Sequence, residues 1–380
     1  MIYGIELLTF LFVGLIIDEK FVKYFLFVSA ILIALPSFWV IPAPGIYFDT
    51  IRFNDLLDMA RQEFYSSGIF ASLGWDLWNL TDYINQPLVI CYIWIFSLFP
   101  NDGFFRLFTI IFFLLILFKL AYDIKSRFSL TSKSLILSIT FLLMVFNIFF
   151  EIEGIRNFLA FIIFAYSAYL DFFTSSKFKP IIGYLFASFF HPFALVFFII
   201  RIVMLFNNKF IIWIYYLLAL TWIHWANPII TFSESHSSTW PFSLLSDKAQ
   251  TFIAGQNNFQ EFAGAKEIIF TSLILILLII NYLFFYRGIK KLIPQNYNYF
   301  YKLTIFFCVG SFESTQLYLR SIIFILFLSL PYLMNLFDHD GKDSLGSKVC
   351  NLPQVGNIIF ALSMFIFWYY YTYTYVLFSL

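Results

Sequence analysis

Apolar residues come in long runs separated by short polar connections from one end of the chain to the other. The runs cover roughly residues 2–17, 24–41, 87–99, 104–122, 134–150, 157–173, 180–206, 211–226, 267–286, 303–312, 322–337 and 355–378. They lack the period-two alternation of a membrane-spanning strand. As helices, runs of about 20 residues match the hydrocarbon thickness of a bilayer. The pattern predicts an all-α polytopic membrane protein, one transmembrane domain over residues 1–380.

Two runs break the pattern. Run 87–99 would be about 20 Å long as a helix, against a core of about 30 Å, so it is expected to be re-entrant or interfacial. Run 180–206 contains His191 followed by Pro192. Proline removes a backbone donor and histidine is costly to desolvate in lipid. A helical hairpin with its tip at His191–Pro192 accounts for both residues. The other reading is a single kinked helix with a satisfied core histidine.

Charge decides between them by sidedness. Connections rich in Lys and Arg face the cytoplasm. These are "DEKFVK", "KLAYDIKSRFSLTSK", "TSSKFK", "RIVMLFNNK", "YRGIKKLIPQNYNYFYK" and "DHDGKDSLGSK". With the hairpin they all fall on one side. The result is about 11 transmembrane helices plus a re-entrant segment, with both termini outside. The two larger periplasmic loops are then 42–86 and 227–266.

Composition adds exclusions. The chain is 61% hydrophobic and 12% charged, where soluble domains carry about 25% charged residues. Its net charge of +1 suggests no nucleic-acid partner. Cys91, Cys308 and Cys350 are scattered and read as free thiols. The start lacks the basic region and cleavage site of a signal peptide. No metal-ligand spacing, P-loop or dinucleotide motif occurs, so no metal and no cofactor is expected.

The two basic residue types sort unequally. Arg52, Arg61, Arg106, Arg156 and Arg320 lie outside, with only Lys248 and Lys266. A topology signal would not separate arginine from lysine. Arginine's planar fork holds phosphate or carboxylate bidentately, so an anionic, phosphate-bearing ligand is expected on the outer side. Arg156 and Arg320 open apolar runs 157–173 and 322–337, where helix N-termini also favour anions. Arg52 sits in "FDTIRFNDLLD" with Asp49 and Asp55 beside it. The competing readings are snorkelling or a local salt bridge, favoured for Arg61 and Arg106. Glu151 and Glu153 precede Arg156 and are expected to pair with it, with base or solvated-loop roles as alternatives. "SESHSSTWPFSLLSDKAQTF" suits either sugar faces or an interfacial aromatic belt.

The stretches "GIRNFLAFIIFAYSAYL" and "SSKFKPIIGYLFASFFHPFALVFFII" closely resemble the pattern of the EpsG family of Wzy-type polysaccharide polymerases. The matching residues are Ile155, Arg156, Asn157, Leu159, Ala160, Ala187, Phe190, His191, Pro192 and Ala194. The chain departs from the pattern at Asn157, where glutamine is commoner, and at Phe193, where a small or hydroxyl residue is usual. "LYLRSIIFILFLSLPYL" looks like the family's other arginine segment, which places Arg320 in it. Arg52 and Asp55 only loosely echo an N-terminal feature whose tyrosine is absent here. The specific match covers residues 154–206.

The resemblance implies an O-antigen or capsule polymerase of the bacterial inner membrane. Its substrate would be an undecaprenyl-pyrophosphate-linked oligosaccharide, with membrane lipid and a chain-length regulator as further partners. His191, Arg156 and Arg320 would be catalytic, with Arg52, Asp55, Glu153 and Asn157 binding substrate. His191 serves either as base for the acceptor hydroxyl or as phosphate ligand, and the sequence leaves both open. The rival readings are a flippase for lipid-linked oligosaccharide and a ligase-type lipid-carrier glycosyltransferase.

Overall fold

The structure, a computed structural model, describes residues 2–42, 49–79, 83, 86–146, 154–206, 209–236, 265–289, 292–338 and 351–378. It is built of α-helices, with one small exception. Three-residue strands Val40–Pro42 and Val376–Phe378 pair antiparallel, Val40 opposite Phe378. Two helices, Glu19–Trp39 and Gly103–Phe128, are long and apolar enough to cross a bilayer; Thr315–Leu328 with Leu330–Asp338 makes a third candidate if counted as one broken span. Seven shorter apolar helices of 10–17 residues stand beside them among the described residues. The architecture is that of an all-helical, membrane-embedded protein.

The chain divides into two compact units, Met1–Ala194 with Leu330–Leu380, and Leu195–Ser329. The first holds α1 (Ile2–Ile16), α2 (Val22–Ala34), α3 (Asp49–Ser67), α4 (Ile69–Asn79), α5 (Pro87–Ser97), α6 (Gly103–Phe128) and α7 (Ser132–Val145). It continues with α8 (Ile155–Phe173) and α9 (Phe178–Phe190), and α10 (Pro192–Val203) begins in it. The second unit holds the rest of α10, then α11 (Lys209–Ser235), α12 (Ala265–Ile289), α13 (Gln295–Gly310) and α14 (Thr315–Leu328). Helices α15 (Leu330–Asp338) and α16 (Asn351–Tyr375) belong to the first.

Helix α7 is the centre of the first unit. It is apolar on every side and packs against α1, α6, α15 and α16. A helix apolar all round must be buried all round, and nearly every α7 side chain is. The loop chemistry then segregates to the two ends of α6. At one end Glu19 bonds Lys125 and Ser132, while Asp338 accepts from the Thr131 N–H and hydroxyl, both at 2.7 Å. At the other end Arg106 and Arg61 bond residues of 37–102. Arg106 and Lys125 are thus anchored about 28 Å apart along one helix, close to the thickness of a hydrocarbon core. These contacts join connections that the charge pattern assigned to the same side.

Several elements differ from the sequence expectation. The acidic stretch 42–86 contains two helices, α3 and α4, joined at Gly68. Helix α3 is polar enough to escape an apolar-run reading. Run 303–312 is the end of a longer helix, since α13 starts at Gln295 directly after Pro294. Helix α11 continues through Pro228 to Ser235, into the loop expected at 227–266. Run 87–99 agrees with the expectation: it is the 11-residue helix α5, about 16 Å long and too short to span.

In the second unit α11 and α13 pack closely through Gly310. A Cβ there would lie 2.3 Å from the Ala219 carbonyl oxygen and 2.5 Å from that of Leu220. Backbone cannot step aside as a side chain can. Gly310→Ala is therefore expected to destabilise the chain by about 2 kcal/mol, the cost of forcing a well-packed interface apart. Thermal unfolding of the purified variant checks it. A midpoint equal to wild type would mean the two helices can slide.

Candidate functional site

Helix α8 begins at Ile155, so Arg156 lies in its first turn. The guanidinium carbon stands 5.2 Å from the Phe53 ring centroid and 4.8 Å from that of Tyr83. Both rings are almost fully buried, at 1% and 2% exposure, and stack with centroids 6.0 Å apart. Aromatic faces attract a guanidinium through their quadrupoles, and the attraction strengthens where water is excluded. The Arg156 Nη1 also donates to Gln86 Oε1 at 3.0 Å.

Gln86 is placed by local chemistry. It is the N-cap of α5, with Pro87 at the first helical position, where the missing N–H costs nothing. Its own N–H donates to the Tyr83 carbonyl at 2.6 Å. Its side chain makes no cap bond and is left to hold Arg156.

A second cation joins the box. The Arg52 guanidinium carbon lies 5.1 Å from the Tyr83 centroid, so it and that of Arg156 are no more than about 10 Å apart. Two cations sharing one ring repel each other unless an anion lies between them. Asn157 is 9% exposed, and its Oδ1 is shut from solvent with no hydrogen-bond partner. Buried amides are normally satisfied, so this one, next to Arg156, is a group awaiting a donor.

The chain matches no family model, no curated protein and no solved structure. What the site can do follows from its own chemistry.

His191 meets the same helix deeper in, through Phe161, about 140° round the helix axis from Arg156. The apolar run 180–206 does break there: α9 ends with the His191 N–H donating to the Ala187 carbonyl at 2.9 Å, and α10 starts at Pro192. His191 has extended backbone, φ −145° and ψ 122°. Its Nδ1 accepts from the Phe193 N–H at 3.2 Å, a capping bond at the start of α10. The neutral ring then carries its proton on Nε2, which makes Nε2 a donor. The ring meets Phe161 edge-on, centroids 6.0 Å apart. Phe161 is five residues beyond Arg156, so His191 sits about 7 Å further along α8.

The other expected residues separate. Asp55 is exposed on α3, and Glu153 with Glu151 lies outside the described residues. Arg320 belongs to the second unit. It is the sixth residue of α14, not the first-turn residue expected, because the helix begins at Thr315. The helix-terminus attraction for anions acts within the first turn and is not available to it. Arg61 is tied to Asp58 and Asp102 and to the Phe99 carbonyl. Arg106 is buried and donates to the Ser37 and Phe38 carbonyls and to Asn54. Both are structural latches: Arg61 through the salt bridges expected, Arg106 through distant backbone carbonyls in place of the expected snorkelling or local salt bridge. Among the described residues no three His, Cys, Asp or Glu side chains come together as metal ligands.

Phe53, Tyr83 and Gln86 escape the sequence reading. Gln86 alone carried a signal, as a polar residue directly before a proline-led apolar run.

Proposed function

We propose that this chain polymerises polysaccharide repeat units carried on undecaprenyl pyrophosphate, on the periplasmic face of the bacterial inner membrane. The acceptor hydroxyl of one lipid-linked unit attacks the anomeric carbon of the growing chain. The bond from that carbon to pyrophosphate breaks, undecaprenyl pyrophosphate leaves with the electron pair, and the hydroxyl proton passes to a base or to water.

The observation that carries this reading is the Arg156 box. A guanidinium held beside two stacked, buried rings and by a glutamine amide, with Arg52 close by, is a preorganised site for phosphate oxygens. Aromatic rings and an unsatisfied amide beside it suit a sugar with hydroxyls to donate. His191 serves as a donor from Nε2 to phosphate, because its Nδ1 is occupied by the Phe193 N–H. Arg320 is assigned to phosphate on the sequence pattern. The same reading includes eleven spans, α5 as a re-entrant element, the hairpin at His191–Pro192, and a chain-length regulator as partner.

The test is glycan length on gels from a deletion strain. Wild type should restore a ladder, and strains without the chain should show single repeat units on their acceptor. Absence of even the single unit would point to a flippase or ligase, and ladders persisting in the deletion strain would end the polymerase reading. His191→Asn keeps a capping acceptor but loses the imidazole. It is expected to fold normally and to make shorter, fainter ladders. Full ladders from it would reduce His191 to a helix cap.

A further inference from the structure

Asp76 is a buried acid that the site above does not use. It lies on α4, 0% exposed, and neither carboxyl oxygen has a hydrogen-bond partner. Ser72, one turn earlier, is equally buried, but its hydroxyl donates to the Ile69 carbonyl and accepts from Trp94 Nε1 on α5. An ionised carboxyl in this position would have neither water nor donors. Such a group neutralises or moves.

Helix α4 packs on α3 and on α5. Along α3, Glu63 acts on Asp76 with like charge. Arg61 is engaged with Asp58 and Asp102, Arg52 faces Tyr83, and Asp55 is exposed. The ionisable groups of α5 are Cys91 and Tyr92, neither of them a cation, and the Tyr92 hydroxyl bonds Thr109. Helix α4 has no other ionisable residue. Among the described residues nothing cationic offsets the carboxylate.

The joint between α3 and α4 is built to turn. Gly68 has φ +88°, and no atom lies within 4 Å of where its Cβ would be. The polar contact from α5 to α4 is the Trp94 indole, reaching the Ile69 carbonyl at 3.3 Å and the Ser72 hydroxyl at 3.1 Å.

We propose that α4 is a proton-controlled cover on α5: with Asp76 protonated it docks, and with Asp76 ionised it swings away about Gly68. The N-cap of α5 is Gln86, which holds Arg156, so the cover packs on the helix that leads out of the Arg156 box. The device stands whether or not the chain is a polymerase.

Burial, with Glu63 adding to it, pushes the docked carboxyl from its ordinary 3.8 up to about 7. A raised carboxyl favours docking fully below its undocked value. Docking therefore weakens by about tenfold per pH unit from about pH 4 to about pH 7 and is constant above.

Hydrogen exchange on the purified full-length chain in detergent, from about pH 5 to about pH 8, reads this directly. The protection factor of residues 69–79 should fall about tenfold per pH unit and level off near pH 7, while α6 stays protected. In Asp76→Asn the protection of α4 should not vary with pH. A flat wild type, or an unchanged fall in Asp76→Asn, overturns the proposal. Should Asp76→Asn also lose protection in α6, Glu63→Gln decides. Removing the like charge must move the levelling-off to lower pH, and an unmoved profile overturns the device.

Discussion

Arg156→Ala should lose the glycan ladder while the protein accumulates in the membrane at the wild-type level. The guanidinium is the box's centre: Phe53 and Tyr83 face it and Gln86 holds one of its nitrogens. In the proposed reaction charge develops on the oxygens of the departing pyrophosphate, and a donor already in place would stabilise it without reorganising. Removing such a donor costs about 10²–10³ in rate, or about 3–4 kcal/mol. The fold should tolerate the change, since the contacts described for the residue are with ring faces and a neutral amide, not a buried ion pair. Arg156→Lys keeps the charge but not the planar fork, and should recover only a minor part of the rate. Gln86→Ala should cost about tenfold, because it orients the arginine and leaves it present. A normal ladder from Arg156→Ala would show the box to be an interfacial anchor.

Arg106→Ala should do the opposite: little protein should survive in the membrane, and what survives should polymerise at the wild-type rate per molecule. Arg106 is 5% exposed and donates to the Ser37 carbonyl at 3.4 Å, the Phe38 carbonyl at 3.3 Å and Asn54 Oδ1 at 3.2 Å. Those bonds pin the end of α2's extension and the start of α3 onto α6. Truncation takes the donor from three acceptors, one buried and two part-buried, and opens a void, for about 2–4 kcal/mol. The adjacent Gly103 cannot be filled to compensate, since its Cβ would meet the Phe38 oxygen at 2.6 Å. The thermal midpoint of the purified variant checks the loss. A stable Arg106→Ala protein without a ladder would move Arg106 into the site.

The chain already favoured a non-ligand role for Arg106 over Arg156, but did not show the partners that divide them. Both stand in the outer group, and both sit near the start of an apolar helix. One is spent on backbone carbonyls about 70 residues away in sequence and the other on rings and an amide. Arg52 illustrates the same limit. Its acidic neighbours suggested a salt bridge and gave no sign of its ring partner Tyr83, which follows a further helix. His191 was more legible. Proline's missing donor and fixed φ act on adjacent residues, so the break at 191 could be foreseen, while the use of Nδ1 as a cap could not.

Sequence alone determined that the chain is helical and membrane-embedded, that it breaks at His191–Pro192, and that run 87–99 is too short to cross. Each of these is set by consecutive residues: the length of an apolar run and the geometry of one proline. Tertiary structure decided which outer arginines are latches and which enters an aromatic box, and that Asp76 is buried without a donor. It also decided that Arg320 starts from the second turn of its helix. A side chain's chemistry depends on what surrounds it, and those surroundings come from residues far apart in the chain that only packing brings together.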